Sequence, residues 1–202
     1  GDIDVIHAEL TNSGLCVLVM FIRNGRMLGN KTFYPSNRLD ENAGAVLAAF
    51  LAQFYLDDAT TLDLPGEIIV NQVLPEKSLL EAALTERRGR KVSLRDRVRG
   101  TRARWLEIAS NTAKQSLGSH LAKRDNLDAR FKSLQKALKL PAPPKRLECF
   151  DISHTQGEAT VASCVVFNEG GPLKSDYRRF NIDNITPGDD YAAMDQALRR
   201  RY

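Results

Sequence analysis

LCVLVMFI, residues 15–22, is an unbroken run of apolar side chains. The run is too short to cross a bilayer, which takes about 20 residues, and it is typical of a strand that is buried on both faces. Turn-forming residues flank it, with TNSG at 11–14 and an Asn-Gly pair at 24–25. An Asn-Gly pair suits the tight turn of a β-hairpin. The run therefore predicts the second of three antiparallel strands.

The segments on either side of this run have the periods of strands and helices. Residues 3–10 alternate loosely, and residues 41–55 (ENAGAVLAAFLAQFY) have one apolar stripe at helical spacing. The order β-β-β-α-β-α-β-α that results is typical of the RNase H-like fold, an α/β class. The predicted strands are 3–10, 15–22, 27–34, 67–71 and 90–95, and the predicted helices are 41–55, 76–88 and about 102–138.

The opening pattern returns near the end of the chain. The segment PAPP at 141–144 interrupts all helical periodicity and is typical of a stiff linker. We interpret residues 1–140 as one complete copy of the fold, 141–146 as a linker, and 147–202 as the truncated first half of a second copy. Chance similarity is the alternative, because hairpins are common. The second copy has predicted strands at 147–153, 159–167 and 173–182, a turn at 155–158, and a helix at 189–200.

Asp151 is the residue that we expect to carry chemistry. It shares one face of its strand with Leu147, Cys149 and Ser153. A lone carboxylate in the middle of an interior strand is costly to bury unless it is paired or binds a metal ion. The alternative is a structural aspartate at a strand end that is bonded to a neighbouring turn.

The sequence around Asp151 is similar to a known family. LECFDISHTQG at 147–157 resembles the first strand of the endonuclease domain of UvrC, a family of bacterial nucleotide-excision-repair nucleases, and TPGDDYAAM at 186–194 resembles the start of that domain's first helix. VASCVVF at 161–167 and YRRF at 177–180 continue the similarity. Residues 1–140 fit the region that precedes this domain, less distinctively.

The resemblance implies a metal-dependent DNA endonuclease that makes the 5′-side incision at damaged double-stranded DNA, together with UvrB in the UvrA–UvrB pathway. It implies that Asp151 binds Mg²⁺ or Mn²⁺, which prefer oxygen ligands, and that Asp190 is a second catalytic acid. Asp189 or Asp190 could instead cap its helix or offset the helix dipole. Further catalytic residues are expected beyond Tyr202, so the isolated chain is expected to be inactive. His154 is expected to be structural.

The first copy has no acid that matches Asp151. The nearest position falls around residues 5–8, where the candidates are apolar or His7, and Asp4 matches only if the register slips. We therefore expect a degenerate, non-catalytic copy that serves as a scaffold or as a docking surface for nucleic acid or protein.

A run of basic residues precedes and begins the long helix, within a chain of net charge +4. Such a run favours polyanions, because neutralising phosphates releases condensed counterions. A solvated basic surface is the alternative. Trp105, beside this run, could stack on a base or anchor the core. The residues predicted to bind nucleic acid are Arg87, Arg88, Arg90, Lys91, Arg95, Arg97, Arg99, Arg102 and Arg104.

The composition favours a cytoplasmic protein with no membrane partner. The start of the chain lacks the basic and apolar regions of a secretory signal. Its three cysteines are far apart in sequence and form no zinc-like pair, so we expect them to be reduced. Besides the nuclease fragment, two other functions fit: a non-catalytic DNA-binding or partner-docking module, and a structural spacer.

Overall fold

The computed structural model describes residues 1–35, 42–57, 63–155 and 159–202. Its contacts divide the chain into two compact units, Gly1–Leu121 (unit 1) and Ala122–Tyr202 (unit 2). The division falls inside the long helix, and the linker at 141–146 stays a prediction. The predicted start of the first helix at Glu41 and the predicted turn residues at 156–158 lie outside the described residues.

Unit 1 is built on a mixed five-stranded sheet in the order β3-β2-β1-β4-β5. The first three strands are antiparallel, and β4 and β5 run parallel to β1. The predicted order of elements is confirmed. The strands are β1 (Ile3–Thr11), β2 (Gly14–Arg23), β3 (Arg26–Phe33), β4 (Glu67–Val70) and β5 (Ser93–Arg95), and the helices are α1 (Ala43–Leu56), α2 (Lys77–Arg88) and α3 (Thr101–Leu138), which continues into unit 2.

Strand β2 is buried on both faces, as the apolar run predicts. Val17 and Val19 belong to a core with α1 and α2, whereas Leu18 and Met20 belong to a second core with the first part of α3. The Asn-Gly turn after β2 has positive φ at both residues, which a type I′ hairpin turn requires. The sheet therefore separates two apolar layers.

The first part of α3 packs inside its own unit. Ala109, Ala113 and Leu117 are buried in the core with β1 and β2, and Trp105 packs against the same core. Trp105 is therefore a core anchor. Within the described parts of the chain, every helix is too short or too polar to span a membrane.

Unit 2 contains a second hairpin sheet. Its long hairpin strands pair along their whole length, and β9 pairs with the other side of β7. Helix α4 packs Ala193 and Ala197 against one face of this sheet, where Phe150 and Ile152 lie. The elements are β6 (Arg146–Thr155), β7 (Ala159–Asn168), β8 (Gly171–Pro172), a 3₁₀ turn (Lys174–Asp176), β9 (Arg178–Ile182) and α4 (Asp190–Arg201).

The strand predicted at 173–182 is wrong in its first half. Strand β8 (Gly171–Pro172) and the backbone N–H of Leu173 pair with β7, the 3₁₀ turn Lys174–Asp176 then interrupts the ladder, and pairing resumes at Arg178. The backbone N–H groups of Asp176 and Tyr177 bond inside the turn, to the carbonyls of Leu173 and Lys174, so they do not continue the ladder along β7. Asp176 also pairs with Arg146 at the start of β6, where Oδ2 lies 2.6 Å from Nη1.

Candidate active site

Asp151 lies in the middle of β6, opposite Ser163 of β7. Its side chain is exposed, and its hydrogen bond with a described residue comes from Ser153 Oγ, 3.3 Å from Oδ2. The expectation of an interior strand is wrong for the described residues, because β6 pairs only with β7 and forms the edge of the sheet. The carboxylate oxygens are therefore free to bind a ligand.

Asp190 is the first residue of α4, and its side chain does not cap that helix. The cap is Asp189, whose Oδ1 accepts from the backbone N–H of Ala192 at 3.0 Å. Asp190 Oδ1 instead accepts from Nε2 of His154 at 2.5 Å. The other imidazole nitrogen, Nδ1, lies 2.9 Å from Thr160 Oγ1. His154 thus ties β6 to β7 and to the start of α4.

Asp151 and Asp190 lie on opposite faces of the sheet. Side chains alternate along a strand, so Asp151 points away from the face that holds Phe150, Ile152 and His154. Asp190 accepts its hydrogen bond from His154 on that second face, which α4 covers. In the part of the chain that the structure describes, no three His, Cys, Asp or Glu side chains lie close enough to hold a metal ion together. Asp151 fits a hard cation as one oxygen ligand of a larger set.

His7 of unit 1 occupies the position that Asp151 holds in unit 2. Each lies four residues before the last pair of its hairpin, Thr11 with Gly14 in unit 1 and 155 with 159 in unit 2. His7 lies on the face opposite α1, because the neighbouring Ile6 packs toward α1, and Asp151 lies on the face opposite α4. The register thus agrees with the expectation that no acid stands here.

Asp4, the other acid considered in β1, has a structural environment. It is 1% exposed and faces α1. Arg23 donates from Nη1 to Oδ1 at 2.7 Å, and the Tyr55 hydroxyl donates to Oδ2 at 2.5 Å. Burial raises the pKa of Asp4, against the lowering effect of both hydrogen bonds. Asp4 therefore belongs to a buried polar network and is not a counterpart of Asp151.

The basic run divides into two groups. Arg88 donates to the carbonyls of Leu64 and Lys91 at 2.9 and 2.8 Å, and Arg87 lies 3.4 Å from the carbonyl of Asp57. Arg95 and Arg102 both pair with Glu67, the second through two hydrogen bonds. The remaining five side chains are exposed and make no hydrogen bond or ion pair with a described residue: Arg90, Lys91, Arg97, Arg99 and Arg104.

Comparison with known proteins finds a matching family model for each unit. The family model described as UvrC Ribonuclease H-like domain matches residues 2–120, and the model described as UvrC RNAse H endonuclease domain matches residues 135–202. The chain belongs to the UvrC family. The resemblance inferred from the sequence around Asp151 is confirmed, and the two family matches correspond closely to the α/β unit 1 and to unit 2.

Curated relatives are similar to this chain along its whole length. Two proteins named UvrABC system protein C, from Pseudomonas paraeruginosa and Pseudomonas aeruginosa, are each 54% identical to it over 202 residues. The protein of that name from Pseudomonas fluorescens is 53% identical over the same length. These matches cover 100% of this chain and 33% of each relative, so this UvrC-family chain spans about a third of the length of those proteins.

Glu148 is a buried charge in the UvrC endonuclease-type unit that the sequence analysis missed. Its side chain is 8% exposed. Arg201 of α4 donates to both carboxylate oxygens, at 2.8 and 3.0 Å, and Arg146 and the Tyr202 hydroxyl donate at 2.7 and 2.8 Å. The hydrogen bonds from Arg201, with those from Arg146 and Tyr202, hold the pKa of Glu148 well below its usual value. Two features of the sequence could have predicted this ion pair: an acid on the face of β6 that α4 covers, and the basic residues at the end of α4.

Replacing Glu148 with glutamine is expected to destabilise unit 2 by about 1.5–3 kcal/mol, the range for losing hydrogen bonds to a charged group. Since the folded-state pKa is depressed, the carboxylate stabilises wild type fully above about pH 4.5, and this contribution is lost as the pH falls further. The variant lacks that pH dependence. Amide hydrogen exchange of β6 and β7 at neutral and acid pH measures both effects. Glu169→Gln, at an exposed position, is the control, and equal exchange in the two variants would contradict the prediction.

Proposed function

We propose that this chain is part of the DNA-cutting subunit of nucleotide excision repair, and that the parent protein hydrolyses a phosphodiester bond on the 5′ side of a damaged nucleotide. Support comes from similarity along all 202 residues of this chain to proteins named UvrABC system protein C, and from the endonuclease-domain match over residues 135–202. The observation that carries the proposal is the available Asp151 carboxylate in the first strand of that unit.

In this proposal Asp151 holds Mg²⁺ or Mn²⁺. Both ions prefer carboxylate oxygens, and the Asp151 oxygens are exposed, with one long hydrogen bond from Ser153. When bound, such an ion lowers the pKa of a ligated water and neutralises charge on the phosphate. Asp151 would position the ion against one face of β6.

The isolated chain is proposed to be inactive because its half-sheet leaves the site incomplete. In unit 1 the edge of β1 remote from β2 pairs with the parallel strand β4. The matching edge of β6 has no strand partner among the residues that the structure describes. We propose that the parent protein adds a strand along this edge and brings further ligands beside Asp151.

The proposed partners follow from the same assignment. The substrate is damaged double-stranded DNA in the cytoplasm, and UvrB, within the UvrA–UvrB pathway, presents it through parts of the parent protein outside this chain. The exposed basic residues of unit 1, such as Arg97 and Arg99, would contact the DNA backbone. The second candidate, a non-catalytic DNA-binding or partner-docking module, is favoured for unit 1 alone, because His7 stands there in place of an acid.

Asp190 is proposed to support catalysis from the second face of β6. Its hydrogen bond to His154 fixes the end of the strand that carries Asp151. Partners of this kind typically change activity by about 10–100-fold when removed. We therefore expect Asp190→Asn in the parent protein to slow 5′-side nicking of a duplex with one defined lesion, in the presence of UvrB, by about 10–100-fold.

Asp195→Asn is the matched control, because Asp195 lies on the same helix and is 61% exposed in a pair with Arg199. This control should leave the nicking rate within about twofold of wild type, as expected of a surface ion pair. Equal nicking rates for Asp190→Asn and wild type would show that Asp190 has no role in catalysis. Absence of lesion-dependent nicking by the wild-type parent protein would overturn the proposed function itself.

A further inference from the structure

A row of three side chains crosses the sheet of unit 2 on the face that α4 does not cover. Asp151 of β6 pairs with Ser163 of β7, and Ser163 pairs with Arg179 of β9. Residues paired directly across antiparallel strands project from the same face of a sheet. Phe180, the neighbour of Arg179, packs on the α4 side, and side chains alternate along a strand. Arg179 therefore lies on the same face as Asp151.

The spacing of this row suits a ligand that extends from one end to the other. Neighbouring strands lie about 4.8 Å apart, so the backbones of Asp151 and Arg179 are separated by about 10 Å. Both end residues are exposed, and Ser163 between them is half-buried and has a short side chain. A ligand along the row meets the proposed cation at the Asp151 end and hydrogen-bond donors at the Arg179 end. Both ends therefore favour an anion with several acceptor oxygens.

Arg179 differs from the other arginines on the strands of unit 2 and on α4. Six arginines lie on these elements. Five of them make a hydrogen bond or an ion pair inside the unit: Arg146, Arg178, Arg199, Arg200 and Arg201. Arg179 is exposed and makes neither with any residue in the described part of the chain. Its guanidinium donors are therefore available to a ligand.

We propose that Arg179 binds a backbone phosphate of the DNA strand that the parent protein cuts, and that this strand crosses the sheet from β6 toward β9. A planar guanidinium donates paired hydrogen bonds to a phosphate, which fixes its orientation as well as its position. The row is longer than one phosphate group, so Arg179 holds the phosphate next to the one at Asp151. This inference rests on the proposed function for the choice of DNA, and it adds a substrate-binding residue to the site.

The first test measures 5′-side nicking by the parent protein, with UvrB, Mn²⁺ and a duplex that carries one defined lesion. Arg179→Ala is expected to slow nicking by about 10–100-fold, the effect of losing a hydrogen bond between charged groups. Arg179→Lys keeps the charge but not the paired geometry, so its rate should fall between the two. Arg178→Ala is the matched control, because Arg178 lies on the opposite face and donates to the carbonyls of Ser175 and Tyr177. This control should stay within about twofold of wild type.

Neutral phosphates in the DNA identify the contact without relying on a protein variant alone. Replacing one phosphate at a time with a methylphosphonate removes its charge. At one position next to the incision point, this change should slow wild type about as much as Arg179→Ala does. It should slow the Arg179→Ala protein no further, because the same contact is already lost, whereas the Arg178→Ala protein should remain sensitive to it. Losses that add to the effect of Arg179→Ala at every position would overturn the proposal.

Binding without cutting separates this proposal from the proposed function. Fluorescence anisotropy of the same duplex with the parent protein in EDTA gives the salt dependence of the affinity. Arg179→Ala should reduce the slope by about one phosphate contact, and Arg178→Ala should leave it unchanged. If the slope falls in this way but wild type does not nick the lesion duplex, the proposed function fails and the Arg179 contact stands. If wild type nicks and the two variants match each other in rate and in slope, Arg179 is only a solvated surface residue and the proposal is overturned.

Discussion

Replacing Arg23 with leucine is expected to lower the free energy of unfolding of unit 1 by about 3–5 kcal/mol, the effect of removing one partner of a buried ion pair. Asp4 is 1% exposed, and the guanidinium of Arg23 neutralises it at 2.7 Å. Without Arg23, the hydrogen bond that the buried carboxylate keeps within the described residues comes from the hydroxyl of Tyr55. Denaturant unfolding followed by the fluorescence of Trp105 measures the loss, because this single tryptophan packs in the core of unit 1.

The loss should depend on pH in a defined direction. Burial already raises the folded-state pKa of Asp4 above its usual value of 3.8, and Arg23 opposes that rise. Removing Arg23 raises the pKa further, so the folded variant binds a proton more readily than its unfolded chain does. The variant should therefore gain stability as the pH falls from 7 toward about 4. The gap between wild type and variant should narrow over the same range.

Two controls separate the buried pair from a general charge effect. Arg26→Leu removes an exposed arginine from the next strand and should change stability by less than about 0.5 kcal/mol. Asp4→Asn combined with Arg23→Leu removes both charges and should recover part of the loss. If Arg23→Leu and Arg26→Leu cost the same, the network around Asp4 contributes nothing measurable to the fold.

The parts of the fold that the sequence predicted correctly depend on local signals. The apolar run at 15–22 and the Asn-Gly turn define a buried strand and a hairpin from adjacent residues, and the same pattern marks β6 and β7. The 3₁₀ turn Lys174–Asp176 was missed because the alternation of side chains does not show where the backbone N–H groups bond. Those of Asp176 and Tyr177 bond inside the turn, and Asp176 also pairs with Arg146, 30 residues away.

The sequence of each strand could not show that Asp4 is buried and that Asp151 is exposed. Asp4 is buried because Tyr55, 51 residues away on α1, reaches it. Asp151 is exposed and lies on the face of β6 opposite the one that α4 covers. Both outcomes depend on which elements pack or pair at long range, and the period of a single strand carries no such information.

Counting charges likewise could not divide the basic run. Arg95 and Arg102 converge on Glu67, a residue at the start of β4 that is remote from both in sequence. Arg97 and Arg99 lie between them in sequence and stay exposed, with no ion pair to any residue that the structure describes. Of the nine residues predicted to bind nucleic acid, five are thus exposed and make no hydrogen bond or ion pair with a described residue.

The two units differ at one equivalent position, and that difference separates their chemistry. Asp151 and His7 have the same distance from the hairpin end and lie on the same face of their sheets. An exposed carboxylate suits a hard divalent cation, whereas an imidazole supplies no oxygen ligand. This difference supports the proposal that the parent protein cuts DNA with unit 2 and uses unit 1 without catalysis.

The largest effect on activity is expected from Asp151→Asn in the parent protein. The change removes the charge that we propose to hold the cation, so 5′-side nicking of a lesion duplex, with UvrB present and Mg²⁺ or Mn²⁺ supplied, should slow by about a thousandfold or more. Stability should stay within about 0.5 kcal/mol, because the side chain is exposed and accepts one long hydrogen bond. This combination separates a site residue from a structural one.

Asp183→Asn is the matched control, since Asp183 is 68% exposed and makes a long ion pair of 3.8 Å with Arg200. It should leave the nicking rate unchanged. Titration calorimetry of the parent protein with Mn²⁺ adds a readout besides activity, and the Asp151 variant should lose at least one bound ion while the Asp183 variant keeps it. If the Asp151 variant retained more than about a tenth of the wild-type rate, the cation would have to be held by other residues, and the role proposed for this strand would be wrong.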